Sequence, residues 1–283
     1  MEHINRQCEL IKTKIGNYLI NPQDVISNTL KKNGSWEGWL LDFYYRMIQK
    51  DWVCVDAGAN IGTHTIPMAT LCNVVYAFEP QASIYNNLCA NIFLNGMDNR
   101  IIPIREGLGD KIEIKQLWED SIEDFGNGMI NYGGRGIEHE NCGHKYDKNV
   151  VRKQDQIRVV TLDSYNLGRV DLIKMDIQGY ELFAVEGALK TLKKHKPIIL
   201  LENGKHKVSQ SELEINTKVK QQLLSLGYDF YRLSFDLEKF PQMNDYSKDD
   251  CILIHPKNQY YDFALSVIDN CPDGFNFDLE NEL

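Results

Sequence analysis

Two short segments together predict a β-turn-α-β unit that holds a ribose. Residues 53–62 read Val-Cys-Val-Asp-Ala-Gly-Ala-Asn-Ile-Gly, an apolar run that ends in Asp56 and leads into a turn with glycines at positions 58 and 62. One helix length later, a second apolar run ends in Ala-Phe-Glu-Pro at residues 77–80. Glycines let a backbone approach a ligand closely, and an acid at the end of the second strand, here Glu79, can accept hydrogen bonds from both ribose hydroxyls. The pair predicts a nucleoside-containing cofactor.

The sequence of the turn indicates which cofactor it is. A dinucleotide site uses G-x-G-x-x-G, because a pyrophosphate needs a tight turn, close backbone approach and a free helix N-terminus. This chain has Gly58-Ala-Asn-Ile-Gly62, with no third glycine. S-adenosyl-L-methionine has no phosphate; its methionine carboxylate suits free amides, and its ammonium suits a nearby acid such as Asp56. The turn therefore favours S-adenosyl-L-methionine over a dinucleotide, and Glu79 argues against a turn that binds no ligand.

Length and charge narrow the class of protein. A chain of 283 residues can form one large domain or two small ones, and we expect one. The net charge of −9, with no block of Lys and Arg, argues against nucleic acid as the main partner, since phosphate contacts need clustered cations. The N-terminus lacks the apolar core of a signal peptide, and no stretch approaches the ~20 apolar residues that span a bilayer. We expect no stable membrane insertion and a cytoplasmic location.

Apolar runs predict eight strands, and helical patterns lie between most of them. The runs are at residues 52–56, 74–78, 101–105, 157–160, 170–176, 197–202, 228–233 and 251–255. Strands that alternate with helices indicate a parallel sheet covered by helices on both faces. We expect residues 1–50 to be an N-terminal extension that packs on the core, 51–260 to be the cofactor-binding domain and 261–283 to be a C-terminal tail. Residues 118–156 break the alternation with a glycine-rich polar stretch, which is typical of a lid or substrate loop, or of disorder.

The chain carries an ordered set of short motifs. They are Val-Cys-Val-Asp56-Ala-Gly58-Ala-Asn60-Ile-Gly62-Thr-His-Thr65, Phe78-Glu79-Pro80, Thr161-Leu-Asp163, Ile173-Lys-Met-Asp176-Ile-Gln-Gly179-Tyr-Glu181 and Gly187-Ala188. Together, over roughly residues 36–255, they resemble the FkbM-type methyltransferases, and the set is more specific than any one motif. The resemblance implies the α/β, Rossmann-like class I methyltransferase fold: a seven-stranded, mostly parallel, doubly wound sheet. It also implies methylation of a hydroxyl, on a sugar, a glycan or a natural product, with S-adenosyl-L-methionine as cofactor.

The resemblance also implies roles by position. The turn at 56–62 would hold the methionine part of the cofactor, Glu79 the ribose, and the stretch at 106–110 would line the adenine. Glu37 follows a tryptophan, as an acid often does in the family, and would reach the ammonium. The residues expected to contact the cofactor are Glu37, Asp56, Gly58, Ala59, Asn60, Gly62, Thr65, Glu79, Pro80, Gly107, Leu108 and Asp176. The stretch Asn131-Tyr-Gly-Gly134 resembles a loop that members place near the active site, and Gln178 replaces the Glu of many members.

Three acids are candidates for the base that removes the acceptor's hydroxyl proton. Asp176 and Glu202 end predicted strands, and ligands of open α/β sheets bind at the carboxyl ends of strands. Glu181 begins the helix after Asp176, where the helix dipole would tend to keep it ionised. We rank Asp176 first, Glu181 second and Glu202 third. In the alternative interpretation, Asp176 and Glu181 cap a helix or pair with Lys174, and Glu202 lies with His206 on a surface loop.

A metal site is the weaker hypothesis. His139, Cys142 and His144 lie close in sequence, but no fourth ligand has zinc-like spacing, and there is no C-x-x-C pair. Three carboxylates, those of Asp176, Glu181 and Glu202, would suit magnesium or calcium if they converged. We rank this below a metal-free base and expect no metal.

Two other functions compete with an O-methyltransferase that acts on a carbohydrate or another small hydroxyl-bearing acceptor. A nicotinamide-dependent oxidoreductase shares the ribose-binding acid, but the chain has no third glycine in the turn and no Tyr-x-x-x-Lys pair. A methyltransferase-like binding module without activity is the second alternative. The presence of Asp56, Glu79, Asp176 and Glu181 argues against such a module.

Overall fold

A computed structural model describes residues 8–117, 137, 155–202, 210–232 and 251–269. Most of the expected loop at 118–156 lies outside these residues, as do Asn131 to Gly134, His139, Cys142, His144 and His206.

The described residues form twelve β-strands and eight α-helices. The strands are β1 (Glu9–Thr13), β2 (Gly16–Ile20), β3 (Val53–Ala57), β4 (Val74–Phe78), β5 (Ile101–Ile104), β6 (Gly107–Leu108), β7 (Glu113–Leu117), β8 (Asp155–Val160), β9 (Leu172–Met175), β10 (Ile198–Leu201), β11 (Asp229–Arg232) and β12 (Cys251–Ile254). The helices are α1 (Val25–Asn33), α2 (Gly38–Met47), α3 (Thr65–Leu71), α4 (Ala82–Leu94), α5 (Glu181–Glu186), α6 (Leu189–His195), α7 (Gln210–Ser225) and α8 (Tyr261–Asp269).

Seven strands form the central sheet, in the order β11-β12-β10-β9-β3-β4-β5. The strands from β10 to β5 are parallel to their neighbours. Strand β12 is antiparallel to both β10 and β11. Since this is the mostly parallel, seven-stranded sheet expected of a class I methyltransferase, the predicted fold is confirmed.

The sheet is covered on both faces. Since successive side chains of a strand point to opposite sides, each strand contributes to two hydrophobic clusters. In β3, Cys54 belongs to one hydrophobic cluster and its neighbour Val55 to the other. Residues of α2, α3, α4 and α8 pack into the first cluster, and residues of α5, α6 and α7 into the second. Strands β9 and β10 are buried throughout; β10 is a continuous apolar run, which predicts a strand buried on both faces, and β9 is apolar except for Lys174.

The N-terminal hairpin, β1 and β2, is held against α4 by two asparagine side chains. The N–H of Leu19 donates to Asn91 Oδ1 at 2.6 Å, and the N–H of Asn17 donates to Asn95 Oδ1 at 2.8 Å. Asn91 also donates to the carbonyl of Ile61, at 2.8 Å, in the turn after β3. The hairpin is therefore connected, through α4, to the predicted cofactor site.

Two features differ from the sequence-based expectation. The predicted strand at 157–160 is part of β8, which pairs with β6 and β7 in a separate three-stranded sheet. Residues 261–269 of the expected C-terminal tail form α8, whose Ala264 and Ile268 are buried in the first cluster because residues four apart lie on the same face of a helix. In the described part of the chain, no helix combines the length and apolar character that a bilayer crossing requires.

Candidate active site

A cleft opens at the carboxyl ends of β3, β4, β9 and β10. Ten of the residues predicted from the sequence line it: Glu37, Gly58, Ala59, Asn60, Glu79, Pro80, Gly107, Leu108, Asp176 and Glu202. The other four are buried and do not line it: Asp56, Gly62, Thr65 and Glu181. The carboxyl ends of the strands therefore bring most of the predicted residues together.

Glu79 follows β4 and is 4% exposed. Its Oε1 accepts the N–H of Gln81 at 2.8 Å, and its Oε2 accepts the N–H of Asn60 at 3.1 Å. Burial raises the pKa of Glu79 to about 7, although the two hydrogen bonds act in the opposite direction. Each carboxylate oxygen has a second lone pair, so the ionised group can accept two further hydrogen bonds from a ligand in the cleft.

In the turn after β3, each backbone N–H group donates a hydrogen bond to an acceptor within the protein. The N–H groups of Gly58 and Ala59 donate to the carbonyl of Phe78, at 3.0 and 2.9 Å. The remaining N–H groups of the turn donate to Glu79, to the Asn60 side chain and to the carbonyl of Ala59. The expectation that residues 58–62 offer free amides to a methionine carboxylate is therefore wrong, because each of these amides already has an acceptor in the protein.

Gly58 allows two strand ends to touch. Its φ is +83°, and a Cβ atom added there would lie 1.8 Å from the carbonyl oxygen of Asp176. No side chain fits at that distance. Gly58 thus brings the turn after β3 into contact with the residue that follows β9, and this contact explains the glycine independently of any ligand.

Asp56 lies beneath the turn rather than in the cleft. Its side chain is 0% exposed, and its Oδ2 accepts the hydroxyl of Thr65 at 2.6 Å. Its Oδ1 lies 3.3 Å from Nζ of Lys174. Both oxygens therefore have partners within the protein, and Thr65 and Asp56 join the start of α3 to β3.

Lys174 is a buried cation between two carboxylates. Besides Asp56, its Nζ lies 3.6 Å from Oδ2 of Asp176, and it donates to the carbonyl of Gly58 at 3.3 Å. Burial alone would lower the pKa of Lys174, but Asp56 and Asp176 outweigh burial and raise the pKa above its ordinary value. Lys174 therefore stays charged at neutral pH. The signal that could have identified it is a lysine inside an otherwise apolar central strand, since a buried charge needs a partner.

Asp176 reaches the cleft and is 26% exposed at its side chain. Nε2 of Gln178 donates to Asp176 Oδ1 at 2.8 Å and to Glu202 Oε2 at 3.5 Å. Burial would raise the pKa of Asp176, but the charge of Lys174 and hydrogen bonds with Glu202 and Gln178 lower it below its ordinary value. Asp176 is thus an ionised, oriented carboxylate at neutral pH.

Glu181 points into the protein. Its Oε1 accepts the N–H groups of Ile177 and Gly179, at 3.0 and 3.3 Å. Burial raises its pKa to about 7, in spite of these hydrogen bonds. Burial therefore opposes the helix dipole, which was expected to keep Glu181 ionised. The structure places this carboxylate as a cap on the loop that follows Asp176.

Glu37 and His64 form a further pair in the cleft. Their Oε2 and Nε2 atoms are 3.2 Å apart, and the imidazole packs edge-on against Tyr44 with ring centroids 5.9 Å apart. Glu37 has a φ of +46°, which turns the chain into α2. The sequence predicted that Glu37 contacts the cofactor. It did not predict a role for His64, because a histidine beside the start of a helix is by itself no sign of a functional site.

The opposite end of the cleft is apolar. Phe78, Leu108, Leu117 and Ile137 line this end. Glu106 also lines the cleft, where it accepts hydrogen bonds from Arg158 and from the hydroxyl of Tyr165. An apolar surface beside Glu79 suits a flat base attached to a ribose. Within the described ranges, no three His, Cys, Asp or Glu side chains are grouped so that they could hold a metal ion.

Known proteins resemble this chain in both sequence and structure. Hexuronic acid methyltransferase AglP of Haloferax volcanii is 24% identical over 188 residues, which make up 64% of this chain and 69% of the relative. The crystal structure of methyltransferase FkbM from Methylobacillus flagellatus KT has 18% identity and a TM-score of 0.49, covering 78% of this chain. This chain spans about half, 48%, of that protein. TYW2 of M. jannaschii, solved in complex with AdoMet, has 14% identity and a TM-score of 0.40, over 89% of this chain and 86% of that one.

The methyltransferase FkbM domain matches residues 56–230. This range is more than half of the chain, and it includes the turn after β3 and the acids at 79, 176 and 181. The chain therefore belongs to the FkbM methyltransferase family.

Proposed function

We propose that this chain is an S-adenosyl-L-methionine-dependent O-methyltransferase whose acceptor is a hydroxyl of a sugar, a glycan or a natural product. The observation that carries the proposal is the position of two acids in one cleft. Glu79 follows β4, Asp176 follows β9, and β3 lies between these strands. One acid can hold a ribose while the other faces an incoming hydroxyl.

The cleft fits the cofactor by the chemistry of its side chains. Glu79 would accept hydrogen bonds from the two ribose hydroxyls, and the apolar end, with Gly107 and Leu108, would contact the adenine. Glu37, Asn60 and residues near His64 would surround the methionine part. Asp56, Gly62 and Thr65 would support the turn from below. When bound, S-adenosyl-L-methionine supplies a methyl group made electrophilic by its sulfonium sulfur.

Asp176 is our candidate for the base. Removal of a hydroxyl proton by a positioned carboxylate contributes typically ~10²–10⁴-fold in rate. Lys174 keeps Asp176 ionised, and Gln178 fixes one of its oxygens. Glu202, which follows the neighbouring strand β10, would orient the acceptor hydroxyl. Glu181 would act indirectly, by holding the loop that carries Asp176.

Calorimetry and a methyl-transfer assay on the full chain test the proposal. S-adenosyl-L-methionine should bind, and NAD should not. Because hydrogen bonds to a charged group contribute ~1.5–3 kcal/mol, Glu79→Ala should weaken cofactor binding by about ten- to over a hundredfold. Asp176→Asn should lower turnover by ~10²–10⁴-fold and change cofactor affinity only a few-fold.

Each alternative gives a different result. Binding of NAD in place of S-adenosyl-L-methionine would indicate the oxidoreductase, and cofactor binding without turnover on any glycan or polyol acceptor would indicate a binding module. Equal cofactor affinity of Glu79→Ala and the parent would remove the ribose assignment. Glycan acceptors come first in the assay because AglP, by its name, methylates a hexuronic acid. A cytoplasmic location stays a prediction from the sequence.

A further inference from the structure

One wall of the cleft comes from the N-terminal part of the chain. Val25 and Ile26, at the start of α1, and Trp36 and Glu37, just before α2, line the cleft together with the turn after β3. These four residues precede the range matched by the methyltransferase FkbM domain, which begins at residue 56. The proposed cofactor site therefore includes side chains from outside the matched range.

The start of α1 marks the end of this wall that is near the ribose acid. Asp24 and Ser27 line a neighbouring cavity together with Asn60 and Ser83. The N–H of Asn60 donates to Oε2 of Glu79 at 3.1 Å, and Ser83 lies in the first turn of α4, the helix that follows Glu79 in the chain. The two residues between Asp24 and Ser27, which line the cleft, therefore lie toward the proposed ribose site.

Glu37 marks the other end of the wall. Its Oε2 is 3.2 Å from Nε2 of His64, and it lines a smaller cavity beside β10 together with Asp176 and Glu202. Asp176 is the candidate base, so this end of the wall lies toward the place of methyl transfer. Trp36 directly precedes Glu37 and lines the cleft between the two ends of the wall.

The order of groups in S-adenosyl-L-methionine determines what Trp36 would meet. The sulfonium sulfur joins the ribose to the methionine part and carries the methyl group, so it would lie between the ribose at Glu79 and the hydroxyl at Asp176. Trp36 lies between the same two limits on the N-terminal wall, and it is half-buried. The face of an indole attracts a cation within ~6 Å of the ring, and more strongly where water is excluded.

We propose that Trp36 contacts the sulfonium of the bound cofactor and makes the site bind the charged methyl donor in preference to its neutral product, S-adenosyl-L-homocysteine. The proposal rests on the function proposed above and adds a residue that distinguishes the cofactor from the product. During transfer the methyl carbon bonds to the acceptor oxygen, the electrons of its bond to sulfur stay on sulfur, and the hydroxyl proton goes to the base. Sulfur is then neutral, so the indole no longer attracts it and the product is released more easily.

Calorimetry on the full chain tests the proposal with three ligands. They are S-adenosyl-L-methionine, S-adenosyl-L-homocysteine and sinefungin, in which a carbon bearing an ammonium group replaces the methylated sulfur. Trp36→Leu keeps apolar bulk but removes the aromatic face. It should weaken binding of the two charged ligands by about three- to thirtyfold and change the affinity for S-adenosyl-L-homocysteine by no more than about twofold.

Two further variants serve as controls. Trp36→Phe keeps a ring with a weaker attraction for cations, so it should lose less affinity for the charged ligands than Trp36→Leu does. Trp39→Leu makes the same change at a tryptophan that lines the smaller cavity beside β10, and it should leave the ratio of the two affinities, for cofactor and for product, at the value of the parent. Glu37 and Asp176 also attract a positive sulfur, but they are the same in every protein compared. Thermal unfolding shows whether each variant is folded.

The ratio of the affinities for cofactor and product decides the outcome. An equal loss for both ligands in Trp36→Leu would mean that Trp36 only packs against the cofactor, and it overturns the proposal. An unchanged ratio in both Trp36 variants overturns it as well. If the parent binds neither ligand, the function proposed above fails and this proposal fails with it, whereas binding of both by the parent leaves the ratio to test Trp36 alone.

Discussion

The titration of Glu79 links cofactor binding to pH. Its pKa of about 7 in the unliganded protein means that near pH 6 most molecules carry a neutral carboxyl group, which is the poorer acceptor for two ribose hydroxyls. Affinity for S-adenosyl-L-homocysteine should therefore rise by up to about tenfold between pH 6 and pH 8. Glu79→Gln cannot ionise and serves as the control, since the cofactor's own amine titrates equally in both proteins. Parallel affinity curves for the parent and the variant would contradict this role.

Gln178 is hydrogen-bonded to two carboxylates of the cleft. Its amide group donates to both Asp176 and Glu202, and an ionised glutamate at this position could not donate to either. Gln178→Glu adds a like charge beside Asp176 and should raise the pKa of that acid. We expect the acidic limb of the pH–rate profile to move up by about one unit, with cofactor affinity changed only a few-fold.

Gln178→Met is the matched control, because it removes the donor but adds no charge. It should move the profile less than Gln178→Glu does. If the profiles of Gln178→Glu and the parent coincide, Asp176 is not the group that titrates in the rate.

Single residues also show how far the sequence could predict the site. Glu79, Asp176 and Glu202 follow apolar strands, so their approach to one sheet edge was predictable from the order of the strands alone. The direction in which the Glu181 side chain points was not predictable, because it depends on how the loop at 177–179 folds back over the first turn of α5. Of the two acids beside Lys174, Asp176 is two residues away in sequence, whereas Asp56 comes from β3, which only the folded sheet places beside β9.

Among the elements, the N-terminal hairpin and the cofactor turn are joined through one side chain of α4. Asn91 is 0% exposed and binds both the backbone of Leu19 and the carbonyl of Ile61. Asn95 binds the hairpin at Asn17, where its side chain accepts the N–H and donates to the carbonyl. Asn91→Ala should lower the free energy of unfolding by about 1–3 kcal/mol, since it leaves buried polar groups unpaired.

The two asparagines separate the stability of the hairpin from that of the turn. Asn91→Ala should also weaken cofactor binding by about three- to tenfold, the equivalent of about 1 kcal/mol, because the turn loses the anchor at Ile61. Asn95→Ala should loosen the hairpin and leave the affinity near that of the parent. Chemical denaturation and calorimetry measure the two effects. A loss of affinity in both variants would mean that the hairpin itself, and not the Asn91 contact, supports the site.

The strands of the central sheet were predictable because they are continuous apolar runs bounded by polar residues and turns. The strands of the smaller sheet were harder to predict. Strand β6 has two residues, and β7 reads Glu-Ile-Lys-Gln-Leu, in which Ile114 is 61% exposed. Such a strand forms because β8 supplies its backbone partners, so its sequence alone carries little signal. For the same reason, the apolar run at 157–160 predicted a strand but not the sheet to which it belongs.

At the scale of the whole molecule, two buried acids make stability depend on pH. Glu79 and Glu181 each have a pKa of about 7 in the folded protein, against 4.5 as the ordinary value. Between these values the folded state binds more protons than the unfolded state, so the free energy of unfolding falls as pH rises. From pH 6 to pH 8, each acid should reduce it by about 1 kcal/mol.

Glu181→Gln isolates one of these two contributions. The variant cannot ionise at 181, so its loss of stability between pH 6 and pH 8 should be about 1 kcal/mol smaller than that of the parent. His255, whose pKa is lowered first by burial and then by Lys196, shifts stability in the opposite direction, but it does so in both proteins and cancels in the comparison. Urea denaturation at the two pH values, without cofactor, measures the difference. Equal losses in the two proteins would show that Glu181 is already ionised at pH 6, and its hydrogen bonds to the loop after Asp176 would then outweigh the effect of burial.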